Sequence, residues 1–179
     1  MREKHGWKVY MFDGRFENPN INLHKEVITH ENVLQVLSQY PIGDEIEILS
    51  EDTDYADYWI IEAILGKYSP KIVVHEVNQE PPEKCVTTPK SSILTSWDKT
   101  EFHGASVCAF RCLAIQFNYT MVYCEKTGTN CFWIRNDLLE SIFKIRAKFF
   151  QEILTAEFLF QKGYRHLKSD KKWHYLTKC

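Results

Sequence analysis

The chain has little of what usually announces a function. Glycine and proline are scarce, seven and six in 179 residues, which excludes collagen-like and low-complexity architectures. No apolar run approaches the roughly 20 residues that span a bilayer. Met1-Arg2-Glu3-Lys4-His5 has no apolar stretch of a signal peptide. The expectation is a cytoplasmic protein without a membrane span. None of the six cysteines (Cys85, Cys108, Cys112, Cys124, Cys131, Cys179) forms a CxxC pair, which argues against structural zinc. Cys108 and Cys112 lie one helical turn apart and read as small core residues. Cys124 and Cys131 flank a turn and could face each other across a hairpin. In a cytoplasmic chain all are expected reduced. Asn118-Tyr119-Thr120 fits the glycosylation sequon, which means nothing without a secretory route. Cys179 is the last residue, so it is no prenylation box. No internal repeat is visible.

What is present describes a folded domain. The chain is 44% hydrophobic and 26% charged with a net charge of -2, which excludes intrinsic disorder. Its length suits one domain with a sizeable core. Charge is unevenly placed. From Lys144 onward nine Lys/Arg face three acids, a balance of +6, and the remaining 13 basic and 21 acidic residues give -8. The expected organisation is a domain over 1–163 and a basic, aromatic tail over 164–179, loosely docked and without a specific nucleic-acid motif.

Along the chain, Lys8–Phe12 reads as a short strand ending in the turn pair Asp13-Gly14. Phe16–Asn22 is a loop and His24–Ile28 a second strand. Thr29 or Asn32 caps a helix over Glu31–Gln39, closed by Pro41 and Gly43. Glu45–Leu49 is a strand entering the acidic turn Ser50-Glu51-Asp52-Thr53-Asp54-Tyr55-Ala56-Asp57. Asp54 or Asp57 caps the next helix, Ala56–Leu65. Acids at a helix N-terminus are stabilising by ~0.3–1 kcal/mol without any further role. At the carboxyl end of a strand in an α/β sheet they also stand where ligands gather. Lys71–Asn78 is β-branched and unbroken, as in a parallel strand buried on both faces, with Glu76 and Asn78 at its ligand-facing end. A loop anchored by Trp97 runs to His103. A buried helix, Val107–Phe117, follows, then a hairpin of Thr120–Cys124 and Cys131–Ile134. Asp137-Leu138-Leu139-Glu140 starts a long helix to about Gln161, stopped by Gly163.

Several words in this order resemble the FkbM-like branch of S-adenosylmethionine-dependent methyltransferases. They are Gly6-Trp7, Asp13-Gly14, Glu17-Asn18-Pro19, Ile21-Asn22-Leu23, Ser50…Asp52…Asp54…Asp57-Tyr58-Trp59, Pro70-Lys71-Ile72-Val73-Val74 with Glu76 and Asn78, Gly104-Ala105-Ser106, and Gly128…Asn130-Cys131-Phe132-Trp133-Ile134-Arg135-Asn136-Asp137. The resemblance covers about residues 6–140. It implies an α/β fold with a Rossmann-like, mostly parallel sheet, a C-terminal antiparallel hairpin and the strand order 3-2-1-4-5-7-6, followed here by the long C-terminal helix. Lys8–Phe12 would be its second strand and Ile46–Leu49 its fourth. Asp13 would hold the cofactor ribose, and Asp52 or Asp54 would orient the methionine end or act as general base. The implied cofactor-binding set is Asp13, Gly14, Asp52, Glu76 and Asn78, the catalytic pair is Asp52 and Asp54, and no metal is implied.

The chain also departs from the pattern. The family's first strand and glycine-rich loop have no counterpart before Gly6, so the sheet is expected to be N-terminally truncated. Glu51 and Thr53 stand where apolar strand residues are usual, and Tyr55 stands where glycine is usual. Two alternatives therefore remain open. One is a catalytically inactive methyltransferase-like module that binds a protein partner or itself through residues 137–163. The other is a divalent-metal hydrolase on Asp52, Asp54, Asp57, His75 and Glu76, weakened because His75 and Glu76 are neighbours on a strand and face opposite ways.

Overall fold

The computed structural model describes residues 6–43, 45–90, 98–162 and 168–177. Trp97, Gly163 and Cys179 lie outside them. The fold is mixed α/β. Its main sheet contains four strands, β3 (Ile48–Glu51), β4 (Ile72–Glu76), β6 (Tyr119–Cys124) and β7 (Asn130–Arg135), in the order β3-β4-β7-β6. Only β3 and β4 run parallel, so the sheet is of mixed orientation rather than mostly parallel. The crossover between them is α2 (Asp57–Leu65). The hairpin β6–β7 forms as expected. Glu125 shapes its turn by accepting from the amides of Thr127, Thr129 and Asn130 at 2.9, 3.0 and 3.3 Å. Gly128 supplies the positive φ of 77° that a side chain would resist.

The first two strands stand apart. β1 (Met11–Asp13) pairs in parallel with β2 (Leu23–Lys25), and the two form a separate sheet. Both are shorter than the sequence pattern predicts. The connection between them is tightened by Asn18, which caps the 3-10 turn Pro19–Ile21. β1 and β3 do not pair, so the outer edge of β3 carries no strand among the described residues. A satellite core bridges the two sheets. It joins Val33 and Leu37 of α1 (Val33–Leu37) to Ile60 and Ile64 of α2, with Phe12 packed against it. Thr29 and Asn32, the two candidate caps, instead bond each other, amide to side chain, in both directions.

The main core lies under one face of the four-stranded sheet. Alternation along β4 buries Val73 and His75 completely and leaves Ile72, Val74 and Glu76 partly covered. One face is therefore closed, not both. α3 (Val107–Gln116) closes it. Ser106 caps the helix by accepting from the Ala109 amide, and Phe110 places its ring 4.0 Å from His75. Trp133 of β7 sits 4.8 Å from the same imidazole. Each large, fully buried side chain of this group contributes on the order of 1.5–3 kcal/mol by leaving water.

The expected long helix after Asp137 is three short ones: α4 (Asn136–Phe143), α5 (Ala147–Ile153) and α6 (Ala156–Leu159). Lys144 adopts φ 57° and ends the first. Glu140 turns back to accept from the Ala147 amide at 2.8 Å, and Thr155 caps the third by accepting from Phe158. Arg111 of α3 holds this arrangement by donating to the carbonyls of Leu154 and Gln151.

Two further expectations are corrected. Four of the cysteines expected as thiols are paired: Cys85 is bonded to Cys108 and Cys124 to Cys131. Cys124 and Cys131 face each other directly across the hairpin. The described part of the tail is docked rather than loose. β8 (His174–Tyr175) pairs with β5 (Val86–Thr87), Leu176 donates to the Cys85 carbonyl, and Lys171 pairs with Asp98. None of the described helices is long and apolar enough to cross a membrane.

Candidate functional site

The parallel pair β3–β4 brings two strand ends to one edge. Glu51 lies opposite His75, so one residue further on Asp52 is set opposite Glu76. Alternation then sorts the carboxylates. Glu51 turns to the closed face and is buried beside Asp57, the first residue of α2. Asp52, Asp54 and Glu76 gather on the open side, with one oxygen of each within 4.8 Å of the others. Asp54 reaches the cluster through a positive φ of 66°.

Crowding and burial act together on these groups. Burial, reinforced by the charges of Asp57, Asp52 and Asp54, pushes the Glu76 carboxyl up to about 8. Burial raises Asp52, with Asp54 adding to it. Burial raises Asp57 to about 6. Burial holds Glu51 well above the ordinary carboxylate range, with Asp57 as the next cause. Asp57 does not cap its helix, because Ala56 occupies the cap position. Its Oδ1 instead accepts from the Thr53 amide at 3.0 Å and fixes the acidic turn. Both oxygens of Glu51 and Oδ2 of Asp57 are buried without a hydrogen-bond partner among the described residues. A proton retained on this pair is the arrangement their burial favours.

The other residues predicted from the sequence fall in different places. Asp13 is half-buried on the separate β1–β2 sheet. Its Oδ1 accepts from the amides of Arg15 and Phe16 at 2.7 and 2.9 Å, which lowers its pKa and leaves Oδ2 unengaged by these bonds. Gly14 makes no tight approach: a Cβ there would lie 3.6 Å from the nearest atom, on Val27. Asn78 is buried and fully engaged. Its amide nitrogen donates to the carbonyls of Glu101 and His103 at 2.6 and 2.9 Å, and its oxygen accepts from Glu80 at 2.8 Å. It holds the loop that follows His103 backwards over the strand ends. His75 is buried with its pKa lowered to about 4 by burial, so it is a neutral core residue facing Phe110. The five-residue metal set is thereby divided, and Asp52, Asp54 and Glu76 are the members dense enough to hold a hard cation.

The sequence reading missed Glu51 as a buried member of the site. Its signal was an acid in an apolar strand position. It also missed the cover over the strand ends. Phe102 packs between Tyr55 and Trp173, with ring centroids 5.9 and 4.6 Å away. Lys171 stands over the Phe102 ring. The aromatic and basic residues of the tail carried that signal. Tyr55, 2% exposed, fills space beneath this cover. Compared with protein-family models, with curated proteins and with solved structures, the chain matches none.

Proposed function

We propose that this chain is a methyltransferase-like protein of the FkbM type, whose inherited chemistry is methyl transfer from S-adenosylmethionine to an oxygen or nitrogen nucleophile. One observation carries the reading. The order β3-β4-β7-β6, with β1 and β2 paired alongside but apart, corresponds to strands four, five, seven and six and to strands two and three of the order 3-2-1-4-5-7-6. The interruption falls where the first strand would lie.

The donor set suits the cofactor at one end. S-adenosylmethionine carries an ammonium and a sulfonium, and it supplies an electrophilic methyl carbon. Asp52 and Asp54 present negative charge at the strand ends, the complement of such cations, with Glu76 beside them. Asp52 or Asp54, both more exposed than Glu51, accepts the proton that the methyl acceptor gives up. Oδ2 of Asp13 receives a ribose hydroxyl. Glu76, raised to about 8, keeps a proton through neutral pH and serves as a hydrogen-bond donor rather than a charge. The adenosine end is less well provided, since no glycine cradle stands among the described residues near Asp13.

A second reading is favoured by a separate observation. Ile142, Phe143, Phe149, Ile153 and Phe158 of α4 to α6 are all at least half exposed. A catalytically inactive module would use that face to bind a protein partner or a second copy. Titration calorimetry with S-adenosylmethionine and its demethylated product separates the two. The first reading expects heat at millimolar ligand and an affinity at least tenfold weaker in Asp52→Ala. No heat for either ligand, or an unchanged affinity in the variant, rejects the site and leaves the binding module.

A further inference from the structure

Asn118 stands just past the C-terminus of α3, at φ 63°, and is exposed. It opens the sequon Asn118-Tyr119-Thr120. Its backbone is engaged on both sides: the amide donates to Ile115 and the carbonyl accepts from Asn136. Its side-chain amide makes no hydrogen bond to any described residue, so the nitrogen is free to carry a substituent. The two disulfides change what that sequon means. Cys85–Cys108 joins the start of β5 to α3, and Cys124–Cys131 closes the hairpin. Persistent disulfides belong to oxidising compartments, and the cytosol keeps such thiols reduced. Both bonds suit an oxidising compartment, and among such compartments the secretory lumen is the one in which sequons are used.

We propose that Asn118 is an N-glycosylation site and that the protein matures in the secretory lumen. The donor is an oligosaccharide linked through pyrophosphate to a lipid. The Asn118 Nδ2–C1 bond forms as the C1–oxygen bond to the pyrophosphate breaks. One amide proton passes to a base, and the lipid pyrophosphate departs. Thr120 is buried in the finished fold, with its hydroxyl on Asn136 Oδ1 at 2.8 Å. The sequon is therefore read on the nascent chain, before β6 pairs. Placement then suits the folded product. β6 begins at Tyr119, opposite Arg135, while the acidic edge lies at the level of Glu76 and Asn130. The glycan sits at the end of the sheet away from Asp52, Asp54 and Glu76 and leaves that edge open.

Two samples test the proposal. In the protein isolated from its own cells, peptide mapping without reduction should find both disulfides. Enzymatic deglycosylation in heavy-oxygen water should convert Asn118 to labelled Asp. Alkylation of Cys85, Cys108, Cys124 or Cys131 without reduction, or an unmodified Asn118 in the bonded protein, overturns it. In the full chain directed to the lumen by an added cleavable signal, the mass should fall by one glycan on deglycosylation. Asn118→Gln should lose that shift and Thr120→Ser should keep it. Because transfer precedes folding, misfolded and retained chain reports equally, and a lumenal chain with no shift also overturns the proposal.

Discussion

The four-stranded sheet and the β1–β2 pair are built to different standards. In the first, Val73, His75, Phe110, Leu113, Cys131 and Trp133 are almost fully enclosed, and the Cys124–Cys131 bond ties β6 to β7. In the second, every strand residue is at least partly exposed, and the pair is tied to the rest through α1, Phe12 and α2. A core of that size holds its elements by burial, whereas the pair has only a small satellite cluster to hold it. The difference bears on the proposed function, because S-adenosylmethionine would need both sheets in fixed relation: Asp13 on one and Asp52 on the other.

The largest expected effect tests that contrast directly. Trp133→Ala should cost about 3–5 kcal/mol in urea unfolding, as for a fully enclosed aromatic. Phe12→Ala should cost about 1–2 kcal/mol, because much of its surface is already wet. Amide exchange should open β1 and β2 well before β4 and β7. Equal costs, or equal protection, would mean that the two sheets unfold as one body.

Next in size is the Cys85–Cys108 bond, which closes a loop with a sequence separation of 23. Replacing both residues by serine should cost about 3 kcal/mol. The cost should fall on the main sheet and leave β1–β2 exchange unchanged. A loss of β1–β2 protection would reveal coupling between the regions that the packing does not account for. A somewhat smaller effect, about 2 kcal/mol, is expected for Asn78→Ala, which strands the carbonyls of Glu101 and His103. Its sharper readout is proteolysis at residues 98–103, which should quicken.

Much of the well-packed region was legible in the sequence. The apolar run of β4, the helix that starts at Val107 and the hairpin of β6 and β7 each follow from local chemistry that the fold keeps. The division of the long helix was not legible, since Lys144 takes a left-handed backbone without glycine or proline to mark it. The disulfides were not legible, because which cysteines meet depends on tertiary packing, as for Cys85 and Cys108. At the site, the strand-end position of Asp52, Asp54 and Glu76 could be read from spacing. The burial of Glu51 and Asp57 could not, because it depends on the register of β3 against β4. Asn78 was read as facing a ligand, whereas tertiary contacts give all of its hydrogen bonds to a loop.

The smallest expected effect, about 1–2 kcal/mol, concerns the buried pair beneath the site. Asp57 is raised by burial to about 6. Between the ordinary carboxylate range and about pH 6 the folded chain keeps a proton that the unfolded chain has released. Stability therefore falls as pH rises through that window, and the penalty is fully present above it. Asp57→Asn keeps an oxygen for the Thr53 amide and removes the charge. The variant should be more stable than the parent at pH 8 by about 1–2 kcal/mol, with the gain vanishing near pH 4. His75, lowered to about 4, acts in the opposite sense: stability is lost as pH falls from about 6.5 towards 4, because the unfolded imidazole takes up a proton first. In the parent the two slopes oppose each other, with Glu51 and Glu76, both raised by burial, adding to the Asp57 sense, so Asp57→Asn should lessen the fall in stability with rising pH without abolishing it. The same substitution should lower the Glu76 pKa from about 8, since Asp57 is the strongest of the charges raising it. Carbon-detected NMR titration of the Glu76 carboxyl reads that shift. A gain that is equal at pH 4 and pH 8, with Glu76 unmoved, would place Asp57 in solvent-like surroundings and end the distinction between a buried pair and an open trio.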